Sequence, residues 1–207
     1  MISDLVDRLE RFYGPLPQPP EEAFALYVWE VLGIHTTPAR RDGAMNALRR
    51  IPALTPDSMG KVARMKLENA VALAGPYREE RLRALNSGID VFRRNPDLPH
   101  RLRGERAEAM AAVERLPHLT PVSGQWLLLF AGRQPRLPDD PDLLRVVTRL
   151  GTDFDSVAME LGSVLTSVQR AALYLAHHGQ ATCVAVSPVC RVCPLKARCP
   201  FPRGAAA

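Results

Sequence analysis

Four cysteines constrain this chain more tightly than anything else in it. They run Cys183-x6-Cys190-x2-Cys193-x5-Cys199, and none occurs in the preceding 182 residues. The amino terminus, Met1-Ile2-Ser3-Asp4-Leu5-Val6-Asp7, is acidic and amphipathic rather than basic and then apolar. It does not read as a secretory signal, so a reducing, cytoplasmic setting is expected, in which two disulfides are not. Thiols gathered in one loop-rich tail point instead to metal ligation. Structural zinc usually takes two close ligand pairs, and here only Cys190 and Cys193 are a pair, flanked singly by Cys183 and Cys199. That asymmetry fits four thiolates around a 4Fe-4S cubane better, with zinc as the alternative.

A chain of 207 residues has room for one or two domains and a sizeable core. Hydrophobic residues make up 46% and charged residues 24%, the proportions of a compact soluble protein. No apolar run approaches the roughly 18 residues of a membrane span, so no membrane partner is expected. Lys and Arg number 27 against 22 Asp and Glu, a net charge of +5 that favours polyanionic partners. Only Lys61, Lys66 and Lys196 are lysines, so Schiff-base chemistry has few agents, because a guanidinium is no amine nucleophile at neutral pH.

Apolar residues recur at helical spacing, and no stretch alternates long enough for a sheet, so the fold is predicted to be all-α. Phe24, Tyr27, Val28, Val31 and Leu32 form one stripe; Leu82, Leu85, Ile89 and Phe92 a second; Leu165, Val168, Ala172 and Leu175 a third. Trp29 and Trp126 fall on apolar helical faces and are expected in the core. Breaks at 14–20, 52–56, 75–76, 95–99 and 132–141, rich in Pro and Gly, divide the chain into about ten helices. Between helical patterns at 105–115 and 121–130 lies Leu116-Pro117-His118-Leu119-Thr120-Pro121-Val122-Ser123-Gly124, which reads as a tight inter-helix hairpin. Thr120 suits the N-cap and Pro121 the first helical turn. A helix that starts so is expected to present free amides able to hold a phosphate oxygen, although a plain capped turn has the same sequence signature.

The hairpin, the acidic stretch Pro138-Asp139-Asp140-Pro141-Asp142 leading into Leu143-Leu144-Arg145-Val146, and the four-cysteine tail occur in a fixed order. Together they resemble the endonuclease III branch of the helix-hairpin-helix DNA glycosylases, over about residues 21–201, with the cysteine spacing as the most specific element. The resemblance implies a six-helix barrel domain at 21–133, carrying the hairpin near 105–130. It further implies a helical 4Fe-4S cluster domain built from 1–20 and 134–207, with a DNA-binding cleft between the two. Asp140 occupies the place of the family's catalytic aspartate, where a carboxylate in a poorly hydrated cleft stabilises positive charge on the sugar or aligns a water. Helix capping by Asp139, Asp140 or Asp142 is the structural alternative. The implied partner is double-stranded DNA containing a damaged or mispaired base, bound by a monomer.

The chain departs from that pattern in its working parts. Val122 stands where members that also cut the backbone carry a lysine, and valine forms no imine. His118-Leu119-Thr120 replaces a Gly-x-Gly turn whose glycines allow positive φ and close approach to phosphate. His35, in Gly33-Ile34-His35-Thr36-Thr37, matches a glutamine that fills the gap left by an extruded base, a surface histidine being the alternative. Tyr77 and Arg78 follow Gly75-Pro76 much as in a Gly-Leu-Tyr segment of the family. The loop Val184-Ala185-Val186-Ser187-Pro188-Val189 is apolar where the family is cationic, leaving Arg191, Lys196 and Arg198 as candidate phosphate contacts. The implied DNA-binding residues are thus His35, Leu119, Thr120, Val122, Ser123 and Arg191. The activity implied is a monofunctional glycosylase that leaves an abasic site without strand scission. The alternatives are a DNA-binding member without efficient turnover, and an iron-sulfur protein that does not touch DNA.

Overall fold

The computed structural model describes residues 2–51 and 54–201. Among them are twelve helices and no strand: α1 (Ile2–Tyr13), α2 (Ala23–Gly33), α3 (Pro38–Arg50), α4 (Pro56–Met59), α5 (Arg64–Ala72), α6 (Arg78–Arg94), α7 (Leu98–Leu102), α8 (Arg106–Glu114), α9 (Pro121–Phe130), α10 (Pro141–Arg149), α11 (Phe154–Leu161) and α12 (Leu165–Ala181). The all-α expectation holds. The two helices beyond the expected ten are short and begin in proline-rich breaks. Pro56 and Pro99 sit in the first turns of α4 and α7, where a missing N–H leaves no helical bond unmade. No described helix is long and apolar enough to cross a membrane.

The chain divides into two compact units, Pro19–Arg133 on the one hand and the stretch up to Gln18 with everything from Gln134 on the other. In Pro19–Arg133, α2 packs against α3, α6 and α9. It is apolar nearly all round, and Phe24, Leu26, Tyr27, Val28, Val31 and Leu32 are all buried, as a helix without a polar face must be. The second stripe is buried too, and Phe24 meets Phe92 edge to face at 5.2 Å. Gly88 makes the contact of α2 with α6 close, since a Cβ there would stand 2.0 Å from Tyr27 Cε1. The admitted phenol donates to Ala84 O at 2.7 Å and Pro117 O at 3.1 Å, so one buried hydroxyl joins α2, α6 and the hairpin. Trp126 is core, stacked on Phe130. Trp29 corrects its expectation: it is only half-buried, and one face of its ring meets the Arg41 guanidinium at 3.6 Å as a cation–π partner, not apolar core.

In the other unit α12 packs against α10 and α1. Val168, Ala172 and Leu175 are buried as expected, whereas Leu165, at the first turn of α12, is half-buried. Helix α1 contributes Ile2, Leu5, Val6 and Leu9 to this core, and Arg170 clamps its outer face by pairing with Asp7 at 2.6 Å and with Glu10. After α12 the described chain has no further helix, and Leu195 is its one buried apolar side chain beyond Thr182.

Candidate functional site

Asp140 ends an extended approach at φ −72°, ψ 126° and caps α10. Its Oδ1 accepts from the amides of Asp142 at 2.8 Å and Leu143 at 3.2 Å, and the residue is 9% exposed. Pro141 at the first helical position needs no acceptor. Of the two readings the sequence allowed for Asp140, the structure shows the cap, and the cap fixes the carboxylate's direction. Two further contacts hold the start of α10. Arg145 pairs with Asp142 and donates to Gly179 O at 2.7 Å and Cys183 O at 2.8 Å. Gly179 packs so closely that a Cβ would lie 2.5 Å from Asp142 O.

The hairpin at 116–120 joins α8 to α9 as expected, and Thr120 is its N-cap, with Oγ1 accepting from the Ser123 amide at 3.1 Å. That bond corrects one expectation: the Ser123 amide is not among free donors at the start of α9. His118 has φ +62°, the left-handed conformation that favours glycine, but Thr120 has φ −76°, which any residue adopts. The substitution therefore costs conformational strain at one position of the two, about 1 kcal/mol or more. Leu119, Val122 and Ser123 are half-buried, while Thr120 and His118 are exposed.

His35 is exposed and also left-handed, at φ +46°, with its ring 5.0 Å from that of Tyr77, itself at φ +69°. Arg81 holds the two loops that carry this pair. The arginine is fully buried and donates to the carbonyls of Ile34, Pro76 and Gly75, the last at 3.2 Å, while Thr36 Oγ1 donates to Ala74 O at 2.6 Å. Burial pulls its guanidinium below the ordinary arginine range, and the Glu80 charge opposes the shift. Arg81 escapes sequence reading because an arginine on a helix is presumed solvated, and only its place on the buried stripe with Leu82, Leu85 and Ile89 hints otherwise.

Cys183, Cys190, Cys193 and Cys199 are free thiols lining one cavity together with His178 and Phe201. Arg149 organises the rim. It donates to Val184 O at 2.8 Å, to Ala185 O at 2.9 Å and to Cys183 Sγ at 3.4 Å, and it covers the Phe201 ring at 4.5 Å. Its own carbonyl accepts from Cys199 Sγ at 3.2 Å. On the other side His178 Nε2 stands 3.5 Å from Cys193 Sγ and Nδ1 2.7 Å from Tyr13 Oη, which is 2.6 Å from Thr182 Oγ1. Burial pushes the Cys193 thiol up, and the charges of the other three cysteines push it further. Four thiols lining one cavity are a soft-sulfur donor set for a cation, and the residues fit an iron-sulfur cluster in that sense. Among the described residues no three His, Cys, Asp or Glu side chains are arranged as a ligand set for a single metal ion.

Arg191 is exposed in the cysteine tail, as is Lys196, whereas Arg198 is paired with Asp4 at 2.6 Å. Val186, in the apolar loop, is 84% exposed. The structure thus brings the four cysteines together, places His35 against Tyr77, and puts Asp140 at a helix start in the same unit as the cysteines. Tyr13, His178 and Arg149 were absent from the sequence reading, because nothing local in the sequence ties a tyrosine near the amino terminus to a thiol at 193.

No family model matches the sequence, and no curated protein matches it. Solved structures do. A trapped covalent endonuclease III–DNA intermediate matches with a TM-score of 0.67 at 19% identity, covering 97% of this chain and 96% of that one. A non-covalent endonuclease III–DNA complex gives 0.67 at 20% identity, covering 97% and 94%. A thermostable thymine-DNA glycosylase gives 0.70 at 13% identity, covering 97% and 95%. This chain has the fold those proteins share.

Proposed function

We propose that the protein is a monofunctional DNA glycosylase that removes a damaged or mispaired base from duplex DNA and leaves an abasic site. The observation that carries this reading is Asp140: a largely buried carboxylate whose one oxygen is held by two amides of α10, in a chain with the endonuclease III fold. Cleaving an N-glycosidic bond leaves positive charge on the sugar, and a fixed anion with little competing water lowers the energy of that charge without reorganising. A neutral asparagine in its place would cap the helix as well but lack the charge. Val122 supplies no amine, so the reaction stops at the abasic site.

On this reading Cys183, Cys190, Cys193 and Cys199 would hold a 4Fe-4S cluster. When bound, the cluster cross-links a segment too poor in apolar surface to hold itself together. The exposed Arg191 would meet DNA phosphates, and the His35–Tyr77 pair would stack in the gap the base leaves.

A panel of duplexes carrying oxidised pyrimidines, uracil, mispaired adenine or alkylated purines, incubated with the protein and then treated with alkali, tests the activity. Wild type is expected to give alkali-dependent cleavage on at least one duplex and Asp140→Asn none, with unchanged helicity. A covalent complex trapped by borohydride would overturn the monofunctional assignment. The second reading is a DNA-binding protein without turnover, favoured by the side chain at left-handed His118, where the backbone would otherwise come close to phosphate. It predicts binding that weakens with salt, by about 0.9 in log K per log salt for each phosphate contacted, and no base release from any duplex.

A further inference from the structure

We infer that His178 donates a hydrogen bond from Nε2 to the thiolate of Cys193, that Tyr13 and Thr182 fix the tautomer which permits it, and that this bond raises the reduction potential of the bound cluster. The inference rests on the cysteine pocket holding a cluster, as proposed above.

Four side chains in series carry it: Thr182 Oγ1 lies 2.6 Å from Tyr13 Oη, which lies 2.7 Å from His178 Nδ1, and the opposite ring nitrogen Nε2 lies 3.5 Å from Cys193 Sγ. His178 and Thr182 are buried, so bulk water does not compete for these contacts. A neutral imidazole has one N–H and one acceptor nitrogen, and which is which follows from its partners. With a free thiol the series can run outward, S–H to Nε2 and Nδ1–H to the tyrosine oxygen. A ligating thiolate has no proton and can only accept. The series must then run inward: Thr182 O–H to Tyr13, Tyr13 O–H to Nδ1, and Nε2–H to sulfur. Each hydroxyl gives its single proton to the next member and each donor has one acceptor.

Hydrogen bonds to ligand sulfurs set cluster potentials because reduction adds negative charge that the donor stabilises. His178 is thus a positioning residue acting through its ligand, in the manner of second-layer partners of metal sites.

The test is a redox titration of the full-length protein prepared anaerobically, with iron and acid-labile sulfide measured on each sample. His178→Leu is expected to lower the potential by a tenfold change in the reduction equilibrium, about 59 mV for one electron. Tyr13→Phe, which keeps the ring and deletes only the hydroxyl, is expected to lower it by less. His178→Gln, whose amide N–H can replace Nε2–H, is expected to recover part of the loss. Equal potentials in cluster-loaded wild type and Tyr13→Phe or His178→Leu would overturn the inference while leaving the cofactor assignment standing. Wild type that contains neither iron nor sulfide would overturn both. If His178→Leu does not load a cluster, Tyr13→Phe decides alone.

Discussion

The helices of Pro19–Arg133 and the cysteine tail at 183–201 are held by different means. The first surrounds α2 with buried apolar side chains and adds a few buried polar bonds, from Tyr27 and Arg81, that fix loops. The tail buries Leu195 and is otherwise held by polar contacts, chiefly Arg145 and Arg149 reaching its carbonyls from α10, with the Arg198–Asp4 pair and the His178–Cys193 contact. At roughly 1 kcal/mol net per hydrogen bond, those contacts do not offset the backbone entropy of ordering residues 183–201 at about 1–2 kcal/mol each. The proposed cluster would supply the cross-link that a segment so built lacks, through its four thiols. On the proposed cluster assignment, ligation would replace apolar burial where a short stretch has no helix to offer.

The largest effect that would break this contrast is expected from removing the proposed cluster. After iron is extracted, limited trypsinolysis is expected to cut at Arg191, Lys196 or Arg198 while the helices of Pro19–Arg133 resist. Equal protection of the tail with and without iron would show that it supports itself. Next in size is Gly88→Ala, which sets a methyl against the buried Tyr27 ring and is expected to cost about 3 kcal/mol in urea unfolding, the upper end of overpacking. Tyr27→Phe keeps the ring and deletes the bonds to Ala84 O and Pro117 O, a loss of about 1–2 kcal/mol read from the same curves. Thr120→Ala removes the cap of α9 for about 1 kcal/mol, and Thr120→Asn is expected to restore it. Val186→Ser, on the exposed loop, is expected to change stability by less than about 0.5 kcal/mol.

The features legible in the sequence are those written locally. Helical spacing marked the stripes on α2 and α6, and Thr120 with Pro121 marked the start of α9. The cysteine spacing anticipated a single pocket. What stayed hidden depends on long-range approach. Arg81 reads as a surface cation until α6 turns it toward the carbonyls of two loops. Trp29 reads as core until Arg41 covers its face. Tyr13 and His178 are 165 positions apart, and no periodicity relates them. Likewise, whether a residue must be glycine depends on its φ: the hairpin needs a left-handed residue at 118 and not at 120.

Gly179 has a reach its own helix does not suggest. The missing methyl is what lets α12 press against the carbonyl of Asp142, two positions past the carboxylate at 140. Any larger residue there would tilt the first turn of α10 and swing that carboxylate, leaving every atom of the acid intact but aimed elsewhere. Aim at 140 is thus inherited from a vacancy one helix away.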